Sequence, residues 1–224
     1  MARLGRDSAV SSVTMSCKLP RRGSFILSQQ CSSLDLCPVD SLSELGDISS
    51  LFGMLWRFIP VLDPTVDLMV SRDLDSRLTA REQAAVEEWL TTGLAFHVMR
   101  DHPAHGALIL AGLWGARMDL PGRREIFQAG MEKMLEDVRR RGRHWYKGLD
   151  QSLLRSRIWP LVENQTCVHD SYFCRAYQSH NWRPFPTERE TGSFNFVGSV
   201  GPMELNKTCP PECRPPTHQD WILC

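Results

Sequence analysis

The stretch Val66-Asp67-Leu68-Met69-Val70-Ser71-Arg72-Asp73-Leu74-Asp75-Ser76-Arg77 decides the fold. Val66 to Val70 is a short apolar run rich in β-formers and reads as a buried strand. It passes directly into Asp73 and Asp75, two carboxylates one residue apart, flanked by Arg72 and Arg77. The clearest helix signal of the chain follows. Thr79 is an N-cap, Glu82 completes a capping box, Ala85, Val86, Trp89 and Leu90 share one face, and Gly93 supplies the left-handed stop. Strand, polar turn and helix in that order open an α/β unit, and in such sheets ligands bind beyond the carboxyl ends of the strands.

Working outward, Leu51 to Phe58 is an apolar run ended by Pro60, open to reading as a buried helix or a strand. Asp63-Pro64 marks a turn. Leu94 to Met99 predicts a second strand, and the apolar Leu108 to Leu113 leads into Gly112-Leu113-Trp114-Gly115. Helices are predicted over Arg123 to Arg140, with Ile126, Phe127, Met131, Met134, Leu135 and Val138 inward, and over Asp150 to Ile158, stopping before Pro160. Cys167-Val168-His169 reads as a last strand, and Phe194 to Val197 as a further short one in a Pro- and Gly-rich region. The expected organisation is a poorly ordered, Ser-rich segment over 1–45, an α/β domain over 46–198 and a Pro- and Cys-rich tail over 199–224.

The chain has 224 residues, with 26 basic and 26 acidic side chains. That length suits one domain with a tail, and a net charge of zero removes the basic footprint of a nucleic-acid binder. No stretch approaches the roughly 18 consecutive apolar residues of a membrane span. Asn164-Gln165-Thr166 and Asn206-Lys207-Thr208 are glycan acceptor sequences. Beside the five late cysteines Cys167, Cys174, Cys209, Cys213 and Cys224 they point to a secretory lumen, such as the Golgi, or to the extracellular space. Met1 to Pro20 is basic and Ser-rich without an apolar core, so it is not a signal peptide; the expectation is that the true start of the gene product precedes it.

Asp73 and Asp75, side by side in a turn, can hold a hard divalent cation, Mn2+ or Mg2+, that neutralises a diphosphate, and Arg72 and Arg77 can grip phosphate oxygens. The plainer alternative is a chance D-x-D, or an Asp capping the next helix. Arg100, Asp101, His102 and His105 cluster after a strand. They read either as a loop contacting an acceptor or phosphate, with His102 or His105 as acid/base, or as a hydrogen-bonded structural cluster. Trp114 is a candidate for stacking on a sugar ring, with core packing as its alternative. His169-Asp170 offers part of a phosphohydrolase ligand set. Cys209, Cys213, His218 and Cys224 approach a zinc-knuckle spacing, with disulfides as the competing use, and eight cysteines allow too many pairings to read a connectivity. The basic run Arg139-Arg140-Arg141-Gly142-Arg143-His144 fits a helix C-terminus without a partner, or a phosphate or polysaccharide contact.

The blocks Phe52-Gly53-Met54-Leu55-Trp56-Arg57-Phe58, Ser71-Arg72-Asp73-Leu74-Asp75-Ser76-Arg77, Phe96-His97-Val98-Met99-Arg100-Asp101-His102-Pro103 and Gly112-Leu113-Trp114-Gly115 resemble a group of glycosyltransferase-like proteins of animals and bacteria. The resemblance extends through Asp150-Gln151, His169-Asp170-Ser171-Tyr172 and Pro184-Phe185-Pro186-Thr187, and covers roughly Leu45 to Gly198. It implies a partial GT-A fold, that of the nucleotide-diphospho-sugar transferases: a mixed sheet with flanking helices, here with a loop-rich C-terminal tail. It further implies that Asp73 and Asp75 bind the metal, with His169 as a downstream ligand, and that Asp150 acts on the acceptor side as base or orienting group. The implied partners are a nucleotide-sugar donor and a glycan or glycoprotein acceptor, with Arg100, Asp101, His102 and Trp114 as acceptor contacts. Only about 50 residues precede the Asp73 strand, so the expected chain lacks the nucleotide-gripping half of that fold. Two rival readings stand beside transfer: a non-catalytic secreted binding module, and a shortened, inactive homologue.

Overall fold

The computed structural model describes residues 39–42, 45–142, 144–177 and 181–224. The expected disorder over 1–45 therefore falls almost wholly outside the described residues. Within them the chain runs through a 3-10 helix (Gly53–Leu62), β1 (Leu68–Arg72), α1 (Ala80–Thr91), β2 (Phe96–Arg100), β3 (Leu113–Arg117) and α2 (Arg123–Arg141). It continues through α3 (Leu149–Leu153), a π-helical turn (Leu154–Ile158), α4 (Trp159–Val162), β4 (Thr166–Asp170) and β5 (Trp182–Arg183). It is a mixed α/β chain with one five-stranded sheet in the order β1-β3-β2-β4-β5.

Two compact units divide it. Among the described residues, the first takes those up to Met69 together with those of Arg117–Ile158. Its apolar core is the buried face of the 3-10 helix (Leu55, Phe58, Ile59, Val61) and that of α2 (Phe127, Met131, Met134, Leu135, Val138). Arg124 ties α2 down by donating to the carbonyls of Asp63 (2.9 Å) and Val66 (3.0 Å). At the other end of α2, Asp137 accepts from Arg140 (3.0 Å) and Arg157 (2.6 Å). The basic C-terminus of this helix thus has its own acidic partner, besides sitting where the helix dipole favours cations.

Two expectations fail here for local reasons. The apolar run from Leu51 is a 3-10 helix that continues through Pro60, which is buried inside it, instead of ending there. The helical path likewise does not stop before Pro160: a π turn comes first, and Pro160 sits within α4. A π turn widens the backbone ladder, which relieves the carbonyl clash and the missing N–H that make proline break an α-helix.

The second unit is Val70–Ala116 with Trp159–Cys224. β2 pairs antiparallel with β3 (His97 opposite Gly115) and parallel with β4 (His97 opposite Cys167, Met99 opposite His169). α1 lays Ala85, Val86 and Trp89 inward, and Ala85, Met99, Leu113, Phe185 and Val197 form one apolar cluster. Thr79 caps α1 by accepting the Glu82 N–H at 3.2 Å, and Gly93 follows the helix at φ +70°. Only half of the capping box forms, because the Glu82 carboxylate turns away to pair with Arg72. β1 starts two residues later than the apolar pattern suggests and includes Ser71, whose hydroxyl donates to the Ala111 carbonyl at 2.8 Å. Phe194 to Val197 is turn, not strand; the extended pairing in this region is the single bridge of Val200 with Ser76. Two disulfides, Cys174–Cys213 and Cys209–Cys224, fasten the tail. They consume the three sulfurs of the zinc-knuckle spacing and decide that alternative. Among the described residues Cys167 is the free cysteine, and it is buried.

Candidate functional site

Asp73 and Asp75 lie on an exposed turn directly beyond the last residue of β1. The Ser76 N–H and hydroxyl both donate to the Asp73 carbonyl (3.2 and 2.9 Å), which closes the turn. Gly112 makes room for it: a Cβ at that position would come within 2.5 Å of the Asp73 carboxylate. The glycine before Trp114 is thus needed as a gap under an acidic side chain. Arg77 is exposed, with its guanidinium over the Phe194 ring at 4.5 Å, while Arg72 is half-buried and taken up by Glu82 and by the Ser71 carbonyl (2.5 Å).

The residues read as acceptor contacts are distributed otherwise. Arg100, Asp101 and Trp114 are buried. Arg100 donates to Asp170 at 2.6 Å and to the Leu108 carbonyl at 2.8 Å, and Trp114 stacks on Phe96 with ring centres 5.1 Å apart. Asp101 is the hub of a closed network. Its two oxygens accept from Arg81 (2.9 and 3.0 Å), Arg189 (2.6 Å), Ser171 (2.7 Å) and the Val197 N–H (2.9 Å). Burial works to raise the Asp101 carboxyl, but Arg81 and Arg189 hold it below the usual range. The structural alternative therefore describes Arg100, Asp101 and Trp114: burial leaves them no face for an acceptor. His102 alone of that set reaches the surface, packed on Phe196 at 4.8 Å. Beside it opens a cleft of about 450 Å³ lined by Pro103, Tyr172, Phe173, Lys207 and Arg214, a feature no local motif announces.

Asp150 belongs to the first unit, in the first turn of α3, where it is buried and accepts from Arg57 at 3.4 Å. His169 is not gathered with Asp73 and Asp75. It forms a separate buried group with His97 and Cys167, in which all three ligand atoms lie within 4.8 Å of one another. His97 Nε2 and His169 Nδ1 are 2.7 Å apart, Cys167 Sγ is 3.9 Å from His169 Nδ1, and His169 Nε2 meets Glu88 at 3.0 Å. Arg183 donates to the other Glu88 oxygen at 2.9 Å. Burial pushes both imidazoles down, His97 well below its ordinary value, and pushes the Cys167 thiol up to about 12. Period-two alternation does put Cys167 and His169 on one face of β4. What was missing is the register that sets His97 opposite Cys167.

Asn164 and Asn206 are both exposed, as glycan acceptors must be. No described helix is long and apolar enough to cross a membrane. No family model, no curated protein and no solved structure matches the chain.

Proposed function

We propose that the protein is glycosyltransferase-like and moves a sugar from a nucleotide-sugar to a glycan or glycoprotein acceptor within the secretory lumen. The observation that carries this reading is the exposed Asp73–Asp75 turn at the carboxyl end of β1 in a mixed α/β sheet, with Gly112 opened beneath Asp73. Two carboxylates on a solvent-facing turn are hard oxygen donors and fit Mn2+ or Mg2+. Asp73 and Asp75 would hold such an ion, which when bound neutralises the charge of the departing diphosphate. Arg77 stands exposed two residues beyond and offers a planar fork for phosphate oxygens. Arg72 instead fastens β1 to α1 through Glu82. The cleft beside His102 is the acceptor side of this reading, with Tyr172 and Lys207 as its polar lining. His169 takes no part.

A binding module that keeps this fold without turnover is the second reading, and the burial of Asp150 against Arg57 favours it, because a base must reach its substrate. Titration with UDP and with GDP, each with and without Mn2+ and followed by tryptophan fluorescence, tests the shared premise. We expect binding that needs Mn2+ and weakens at least tenfold in Asp73→Asn and in Asp75→Asn. No Mn2+-dependent binding, or binding undiminished in both variants, overturns it. Hydrolysis or transfer from UDP- or GDP-sugars then separates the enzyme from the module.

A further inference from the structure

The His97, Cys167 and His169 cluster has a second coordination layer already built. The parallel register puts His97 beside Cys167 and Met99 beside His169, so alternation sends His97, Cys167 and His169 to one face of the sheet and Val98 and Val168 to the other. All three side chains are fully buried. Trp89 stacks on His97 with ring centres 4.9 Å apart, and Phe185 lies 5.4 Å from His169. Two imidazoles and a thiol form a borderline-soft donor set of the kind that binds zinc. Glu88 accepts from His169 Nε2 and is itself held by Arg183. That is the carboxylate–histidine arrangement which fixes a metal-binding tautomer, leaving Nδ1 as the donor toward the centre.

A hydrogen-bonded relay alone accounts for these groups less well. His169 Nδ1 has one lone pair, which the His97 ring uses at 2.7 Å, yet the Cys167 thiol also points at this nitrogen from 3.9 Å. His97 Nδ1 is buried with no hydrogen-bond partner. No hydrogen bond on that side is broken if the ring moves by about 0.6 Å, which would open the two nitrogens to the roughly 3.3 Å spacing of tetrahedral zinc ligands.

We propose that His97 Nε2, Cys167 Sγ and His169 Nδ1 form a three-ligand zinc site, oriented by Glu88, distinct from the acidic turn, and completed to a tetrahedron by a water taken up with the ion. Ligation exchanges the thiol proton for the metal: a zinc–sulfur bond forms, the S–H bond breaks, and one proton leaves to solvent. Because the site is sealed, the ion enters as the sheet closes, and its binding energy becomes folding energy.

The experiment uses the full chain with its disulfides intact, unfolded in urea, freed of metal by a chelator, and refolded by dilution with stepwise amounts of Zn2+ or Co2+. We expect one equivalent bound, a rise in Tm with Zn2+, and with Co2+ the visible bands of a tetrahedral site together with thiolate-to-cobalt charge transfer. Cys167→Ala should lose the charge transfer and the zinc-dependent rise in Tm, while Asp73→Asn keeps both. Glu88→Gln, on a partly exposed face of α1, guards against a Cys167 variant that fails to fold; its zinc affinity should fall 10- to 100-fold. Absence of stoichiometric binding, charge transfer that persists in Cys167→Ala, or unchanged affinity in Glu88→Gln overturns the site.

Discussion

Asp101 and His97 are both fully buried polar groups of the same unit, one just beyond the end of β2 and the other near its start, yet they are treated in opposite ways. Asp101 receives donors from Arg81, Arg189, Ser171 and the backbone of Val197, so nothing about it is left to satisfy. His97 has one strong partner and one bare nitrogen. A buried group with every bond made reads as architecture, since its removal strands its partners. A buried group with a bond unmade calls for an explanation of its own. The difference is why both proposals rest on the His97 cluster and the solvated acidic turn, and not on the charged residues that look most reactive along the chain.

The contrast breaks most visibly at Asp101. Asp101→Ala leaves the guanidinia of Arg81 and Arg189 buried without their anion, and breaking one partner of a buried ion network costs about 3–5 kcal/mol. Urea denaturation of the variant should show that loss; a change under ~1 kcal/mol would mean the network is not structural.

His105 sharpens the same comparison with pH. Its Nδ1 accepts the Asp101 N–H at 3.2 Å, and burial, aided by His102, holds its pKa down to about 4. The unfolded chain takes up a proton near pH 6.5 that the folded chain refuses until about pH 4, so stability contributed by this residue is present above 6.5 and is lost as pH falls toward 4. After allowance for partial exposure the loss is roughly 2–3 kcal/mol. Tm measured across that window in wild type and in His105→Asn, which keeps an acceptor but does not titrate, should diverge; parallel curves would remove His105 from the account.

The smallest expected effect lies at the acidic turn. Gly112→Ala puts a methyl where the Asp73 carboxylate sits. Asp73 is exposed and can swing aside, so the stability cost is about 1 kcal/mol. Mn2+-dependent nucleotide binding should weaken more than stability does. Unchanged binding would detach Gly112 from the turn's function.

Much of the frame is visible in the sequence because it is written locally. The strand before Asp73, the Thr79 cap, the Gly93 stop and the length of α2 each depend on neighbours within a turn or two. Pro60 and Pro160 mislead because a 3-10 segment and a π turn accommodate what an α-helix would not. Phe194 to Val197 shows strand-like composition, but the Val197 N–H goes to the Asp101 carboxylate instead of a ladder. The site was half legible. Asp73 and Asp75 announce themselves as a pair in one turn, whereas His97 and Cys167 meet only through a pairing between distant strands. Arg100 and Asp101 look like active groups in sequence, since a charge carries no mark of whether its counter-ion waits elsewhere in the fold.

The second unit is interrupted: about 65 residues separate the end of β2 at Arg100 from the start of β4 at Thr166. At elongation rates of about 5–20 residues per second, the strand carrying His97 emerges from the ribosome roughly 3–13 seconds before its parallel neighbour exists. Until then one edge of β2 is open, and when Cys167 arrives it precedes Cys213, the proper mate of nearby Cys174. Cys167 ends fully buried on β4 and outside both disulfides, so the tail is fastened by the cysteines that follow it.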